Sequence, residues 1–166
     1  MRKLIEEKIL SAPCEPWQGF RTQQLWTIDV NDILDANQAN LTKIFNSYFT
    51  AVKKYVTYED IIDMVCKVCQ MNISEIDVLF SFGMSKMAVT NEPQDYKRYS
   101  VMQFPEFNEF IGRLADAKFK NDPADCAQPL AWKVEQVLEE LCPAFGLVKK
   151  DVNIDHDDNS ESDDDY

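Results

Sequence analysis

The feature that most constrains the fold of this chain is a helical repeat of apolar residues that begins directly after Pro105. The residues at three- and four-residue spacing, which outline one helix face, are Phe107, Phe110, Ile111 and Leu114. Proline is well tolerated in the first turn of a helix. The sequence therefore predicts a helix from Pro105 to about Phe119 with this face inward. Only four glycines and seven prolines occur in 166 residues, which favours helices over a turn-rich β protein.

The same spacing predicts further amphipathic helices on both sides of this one. The periodic apolar positions are Leu4, Ile5 and Ile9 within residues 2–12; Leu41, Ile44, Phe45 and Tyr48; Ile61, Ile62, Val65, Val68 and Cys69; and Leu130, Val134, Val137, Leu138 and Leu141 before Pro143. Asn40, Thr57 with Asp60, and Ser74 with Asp77 are typical of helix N-termini. Between the helices, the composition predicts a polar connector over residues 83–100 and a loop over residues 121–128.

The charge of the chain excludes two classes of partner. The net charge is -12, and the segment 151–166 holds eight acidic residues and no basic one. Nucleic acids and anionic membranes attract basic surfaces, so neither is expected to bind. No apolar run approaches the ~20 residues that a membrane helix needs. Five cysteines, an odd number, without a signal-like N-terminus predict reduced thiols in an intracellular protein.

Two stretches of the chain share a second pattern. In each, an aromatic-rich helix precedes a loop, then a Val or Met, and four positions later an acidic residue. Val56 and Asp60 occupy these places in the first stretch, and Met102 and Glu106 in the second. On these residues, the region 40–115 resembles the EF-hand, or calmodulin-like, family. The resemblance implies two helix–loop–helix units in which Val56 and Met102 pair the loops, with Asp60 and Glu106 at the last calcium-ligand position.

The other calcium ligands of this family are missing. Positions 1, 3 and 5 of a calcium loop carry oxygen ligands, and position 6 is glycine. Counting back from Asp60 and Glu106, positions 1, 3, 5 and 6 are Phe49, Ala51, Lys53 and Lys54 in the first loop, and Asp95, Lys97, Tyr99 and Ser100 in the second. Of these, Asp95 is the one that could join Glu106 as a ligand, and two oxygen ligands cannot replace the six to eight that calcium takes. We therefore predict no calcium and no other cofactor. Glu106 is interpreted as a carboxylate at a helix start, and a metal ligand at Glu106 is the weaker alternative.

No combination of residues indicates catalysis. Cys66 and Cys69 form a C-x-x-C pair, but zinc needs two more ligands and the only histidine, His156, lies in the acidic segment. A catalytic cysteine needs a nearby base, and no Gly-rich phosphate loop is present. We interpret both thiols as core residues, and we predict no catalytic residue and no enzyme activity.

The segment 13–28 is apolar but not periodic. It carries three large aromatic residues, Trp17, Phe20 and Trp26. Aromatic residues of this kind either join a core or anchor a partner protein. All three are therefore candidates for partner binding.

Taken together, the patterns predict an all-α protein with a degenerate EF-hand-like helix–loop–helix pair and helical extensions at both ends. The expected units are an N-terminal helix and aromatic arm (1–28), the pair (29–119), a C-terminal amphipathic helix (120–148) and an acidic tail (149–166).

The chain also resembles, more loosely, degenerate EF-hand pairs of ciliary and flagellar proteins. That resemblance implies a calcium-independent structural or adaptor subunit of an axonemal, microtubule-associated assembly. Tubulin or axonemal proteins would be its partners, and a helical groove would bind them. The location would be the axoneme or cytoskeleton, otherwise the cytoplasm. A residual calcium sensor and a regulatory subunit are the alternatives.

Overall fold

A computed structural model describes residues 17–152 of the protein, with the side chain of Trp17 left out. The expected helix over residues 2–12 and the acidic tail beyond Val152 lie outside these residues. The described helices are α1 (Trp17–Phe20), α2 (Ile28–Ala36), α3 (Gln38–Ser47), α4 (Tyr58–Ile62), α5 (Glu75–Met84), α6 (Glu92–Asp95), α7 (Phe104–Phe119), α8 (Pro123–Cys126) and α9 (Leu130–Ala144). Two short strands, β1 (Val56–Thr57) and β2 (Val101–Met102), form a single sheet. The all-α class is confirmed.

Three helices continue in a different helical geometry. α1 runs into a π-helical segment over Arg21–Leu25, and α4 runs into another over Asp63–Val68. α6 continues as a 3₁₀ helix over Tyr96–Ser100. None of the helices in residues 17–152 is long and apolar enough to cross a membrane.

Helix α7 lies at the centre of one hydrophobic core. It packs along α9 and α5 and also contacts α3 and α8. The four residues that predicted its inward face are fully buried: Phe107, Phe110, Ile111 and Leu114. All residues from Glu106 to Ala115 except Asn108 are buried, so this helix is covered on nearly every side.

The strands join two successive helix–loop–helix units, α3–β1–α4 and α5–β2–α7. β1 and β2 are antiparallel, with Val56 opposite Met102 and Thr57 opposite Val101. Val56 and Met102 are both fully buried. The sequence pattern predicted that these two residues pair the loops, and this pairing is confirmed.

The predicted helix starts are confirmed at two places and wrong at a third. Thr57 and Asp60 form a reciprocal capping box, and the Ser74 hydroxyl accepts a hydrogen bond from the Asp77 amide. Asn40, however, lies inside α3, which begins at Gln38. The Asn40 side-chain amide donates to the Val148 carbonyl at 2.8 Å, so it fixes the segment after α9 and does not cap a helix.

The π-helical segment after α4 changes which residues face the core. Val68, predicted to face inward, is exposed, whereas Met64 is fully buried. Hydrogen bonds that span five residues widen the helical turn. The 3.6-residue periodicity therefore fails at Val68, although Val65 is fully buried as predicted.

The C-terminal helix follows its prediction closely. Its predicted face is buried at Leu130, Val134, Val137, Leu138 and Leu141. The helix does not stop at Pro143 but continues to Ala144, and Gly146 follows with φ +68°. That left-handed backbone conformation favours glycine and is common just after a helix. The predicted loop 121–128 contains α8, and the predicted connector 83–100 contains α6 and the 3₁₀ helix.

The segment 17–28 packs directly on the backbone of α7. Leu25 is buried, and a Cβ atom added at Gly112 would collide with its Cδ1 atom. Glycine at position 112 therefore permits this close approach. The aromatic arm and the helical pair share one hydrophobic core.

Candidate functional site

The two acidic residues at the loop ends occupy equivalent places in the structure. Asp60 and Glu106 each lie in the first turn of the helix that follows a β-strand. The carboxylate of each accepts a hydrogen bond from the backbone amide three residues earlier, at 2.7 Å from Thr57 and 2.8 Å from Gln103. The interpretation of Glu106 as a helix-start carboxylate is confirmed.

In the second loop, a lysine ammonium lies against Glu106. Lys86 Nζ is 2.5 Å from Glu106 Oε2 and also donates to the Val101 carbonyl. The other carboxylate oxygen, Oε1, accepts a hydrogen bond from the Met87 amide at 2.9 Å. The side chains of Lys86 and Glu106 are only 7% and 6% exposed. This carboxylate is therefore buried, with the Lys86 ammonium and the Gln103 amide donating to Oε2 and the Met87 amide donating to Oε1.

The contacts of the Lys86 ammonium resemble those of a bound cation. If Glu106 is position 12 of a calcium loop, Val101 is position 7, which supplies a backbone carbonyl ligand. The ammonium contacts this carbonyl and this carboxylate at once. Burial lowers the pKa of Lys86, and the negative charge of Glu106 acts in the opposite direction.

The first loop contains the corresponding ion pair nearer to solvent. Lys53, at loop position 5, donates to Asp60 Oδ2. Their side chains are 25% and 20% exposed. Partial burial acts to raise the pKa of Asp60, but hydrogen bonds from Lys53 and Thr57 outweigh it and lower that pKa below 3.8. Both loops thus place an ammonium group at the terminal carboxylate.

Other predicted metal or redox residues are not assembled into a site. Within residues 17–152, no group of three or more His, Cys, Asp or Glu side chains is placed to hold a metal ion. The cysteines of this region, Cys66, Cys69, Cys126 and Cys142, are free thiols. Burial raises the pKa of the Cys69 thiol to about 12. Its reactive thiolate form is therefore scarce at neutral pH.

A cleft of about 760 Å³ lies between segment 21–28, α2 and the start of α7. Apolar side chains make up most of its wall: Leu25, Trp26, Ile28, Leu34, Met87 and Pro105. Trp26, Ile28 and Met87 are exposed to solvent. Concave surfaces lined by large apolar residues are typical of binding sites.

A buried ion cluster holds the arm beside this cleft. Glu109 accepts a hydrogen bond from Arg21 Nε at 2.7 Å and another from Arg113 Nε at 2.8 Å. The Arg113 guanidinium also lies 4.6 Å from the centre of the Phe20 ring, a favourable cation–π distance. The Arg21–Glu109 and Phe20–Arg113 contacts join the arm to α7, and sequence spacing gave no signal for these two.

The three aromatic candidates for partner binding have different outcomes. The Phe20 ring is buried against Arg113, so of the two expected roles the structure favours the core for Phe20. Trp26 is 62% exposed and lines the cleft. The side chain of Trp17 lies outside the described part of the chain. Trp26 is therefore the candidate that the geometry favours.

Comparisons of this chain with protein-family models, with curated proteins and with solved structures find no match. The EF-hand resemblance accordingly rests on the loop residues and on the pairing of Val56 with Met102. We argue the function from the geometry of the loops and the cleft.

Proposed function

We propose that this protein is a calcium-independent structural or adaptor subunit of a larger protein assembly, without catalytic activity of its own. The observation that carries the proposal is the Lys86 ammonium bound to Glu106 and to the Val101 carbonyl. This positive charge belongs to the chain and is therefore supplied at every calcium concentration. The loop pair would therefore keep one conformation, whereas a calcium sensor switches between two conformations.

The exposed apolar surface supports a role in protein binding. Trp26 and Ile28 are exposed beside the cleft, and Ile76 and Phe80 are exposed on the outer face of α5. Contiguous apolar residues on a protein surface often mark interaction sites. The net charge of -12 favours partner surfaces that carry basic residues.

We propose a ciliary or flagellar axoneme as the assembly, with tubulin or axonemal proteins as partners. The support is the loose resemblance to degenerate EF-hand pairs of ciliary proteins, in which the last helix of the pair is followed by a loop and one more helix. Here α7 is followed by a connection over residues 120–129, which contains the one-turn helix α8, and then by α9.

Fractionation of detergent-extracted source cells tests this proposal. The expected result is that the protein stays with axonemes or microtubules through a high-salt wash, while a cytoplasmic marker enzyme is released. Salt screens surface charge pairs, so retention would indicate a built-in subunit. Complete release with the marker enzyme would contradict a structural role in the axoneme.

A residual calcium sensor, the alternative function, would need Glu106 as a ligand. In the structure the Glu106 oxygens are bound to Lys86 and to two backbone amides. A calcium ion would have to displace the ammonium from a buried ion pair, which opposes binding. The geometry therefore favours the structural or adaptor role.

A further inference from the structure

The cleft beside α2 combines apolar walls with an acidic rim. Asp32 and Asp35 line it, and both are exposed. Among the ion pairs of residues 17–152, none includes either carboxylate. Arg21 is the sole basic residue among the described residues lining the cleft, and it is paired with Glu109. The lining residues therefore carry a net negative charge, because Arg21 is paired with Glu109 while Asp32 and Asp35 belong to none of these ion pairs.

The size and exposure of the cleft suit a peptide segment with large side chains. Its volume of about 760 Å³ lies within the range of roughly 300–1,000 Å³ that is typical of ligand sites. Trp26 and Ile28 line the cleft and are well exposed, and Pro105, in the first turn of α7, lines it as well. An occupant that covered these residues would remove apolar surface from water, which favours binding.

We propose that this cleft binds a cationic amphipathic segment of a partner protein. Apolar side chains of the segment would fill the space beside Trp26 and Ile28, and Lys or Arg side chains would pair with Asp32 and Asp35. The two carboxylates are three residues apart on α2, where side chains lie about 5–6 Å from each other. This inference rests on the proposed function, because it specifies the partner chemistry of a protein-binding subunit.

A second exposed apolar surface serves as an internal comparison. Ile76, Leu79 and Phe80 lie at three- and four-residue spacing on the outer face of α5 and are exposed. Phe80 is 64% exposed, nearly the same as Trp26 at 62%. Truncation at Phe80 therefore removes an aromatic side chain of similar fractional exposure without changing a residue that lines the cleft.

The test measures binding of a labelled helical peptide to the full-length protein by fluorescence anisotropy. The probe is a Leu/Lys peptide of about 18 residues, or five helical turns, with matched Leu/Gln and Leu/Glu peptides. Binding is measured at salt concentrations from about 0.15 M to about 0.5 M. We expect the Leu/Lys peptide to bind at least about tenfold more tightly than the Leu/Gln peptide, and the Leu/Glu peptide not to bind.

Matched variants separate the cleft from general attraction to an acidic protein. Asp32→Asn/Asp35→Asn is compared with Asp29→Asn/Asp95→Asn, which has the same net charge but changes no residue that lines the cleft. Trp26→Ala is compared with Phe80→Ala. We expect each cleft variant to weaken binding at least about tenfold and each control variant to weaken it less than about threefold. Unchanged circular dichroism would show that all four variants are folded.

Equal losses in the cleft and control variants would overturn the proposal, because they would indicate non-specific attraction to acidic surface. A full-length Leu4→Ser/Ile5→Ser/Ile9→Ser variant that binds the peptide more than about tenfold tighter would also overturn it. That result would mean that the N-terminal segment of the chain is itself the occupant. If the peptide binds at the cleft but the protein is released completely from axonemes, the cleft stands as a binding site. The proposed axonemal assembly would then be rejected.

Discussion

The two loops contain the same kind of ion pair at different depths. The Lys53–Asp60 pair is about one-quarter exposed, whereas the Lys86–Glu106 pair is almost fully buried. Lys53 lies within its own loop, seven residues before Asp60, and Lys86 follows α5, twenty residues before Glu106. The common feature is an ammonium at the terminal carboxylate, although the two lysines come from different places in the chain.

The depth of each pair determines how much the fold depends on it. Exposed ion pairs contribute little, because water already solvates both charges. A buried pair is costly to form, and burial lowers the pKa of Lys86 even beside Glu106. Removing only one partner of such a pair leaves an uncompensated buried charge. We therefore expect the second loop to be sensitive to single substitutions and the first loop to tolerate them.

The largest expected effect follows from Lys86→Met. This substitution keeps most of the side-chain volume but leaves Glu106 buried without its ammonium partner, so the free energy of unfolding should fall by about 3 kcal/mol. Lys53→Met is the matched control and should cost less than about 1 kcal/mol. Urea denaturation measures both. Equal losses of unfolding free energy in the two variants would contradict the proposed difference between the loops.

A double-mutant cycle should show the same difference as an interaction energy. Lys86→Met combined with Glu106→Gln should be less destabilising than the sum of the single variants, with a coupling energy of at least about 1.5 kcal/mol. The cycle of Lys53→Met and Asp60→Asn should give less than about 1 kcal/mol. Denaturation of the four single variants and the two double variants measures both energies. Additive effects at Lys86 and Glu106 would contradict a direct buried pair.

The smallest expected effect is the pH dependence of the first loop. The pKa of Asp60 is lowered on folding, so the unfolded chain binds more protons near pH 3.8 and stability falls as the pH drops through that region. Asp60→Asn should remove this part of the acid sensitivity, a change of less than about 1 kcal/mol. Urea midpoints measured between neutral and acidic pH test it, with Asp29→Asn as control. An unchanged pH dependence in Asp60→Asn would show that Asp60 contributes none of it.

Local patterns in the sequence predicted much of the helical architecture. The buried faces of α7 and α9 follow from uninterrupted helical periodicity, and the capping box at Thr57 follows from residue type and spacing. The pairing of Val56 with Met102 followed from the repeated pattern of the two units. These features depend on residues close in sequence or on an internal repeat.

The features that sequence reasoning missed depend on contacts between distant residues. Lys86, just after α5, contacts Glu106 twenty residues later, and Arg21 of the arm contacts Glu109, 88 residues away. The positions of these residues in the sequence do not distinguish them from charged residues that are exposed to solvent. Asn40 has the residue type of a helix cap, but a carbonyl of the segment after α9 binds its side chain instead. Such tertiary contacts override local preference.

Calcium titration of the full-length protein by isothermal calorimetry tests the central claim most directly. Because ammonium groups already lie at both terminal carboxylates, we predict no saturable heat up to millimolar calcium. Binding with a dissociation constant of about 10⁻⁷–10⁻⁵ M, the range of calcium sensors, would contradict the claim. That result would show that calcium displaces the lysines and would favour a sensor.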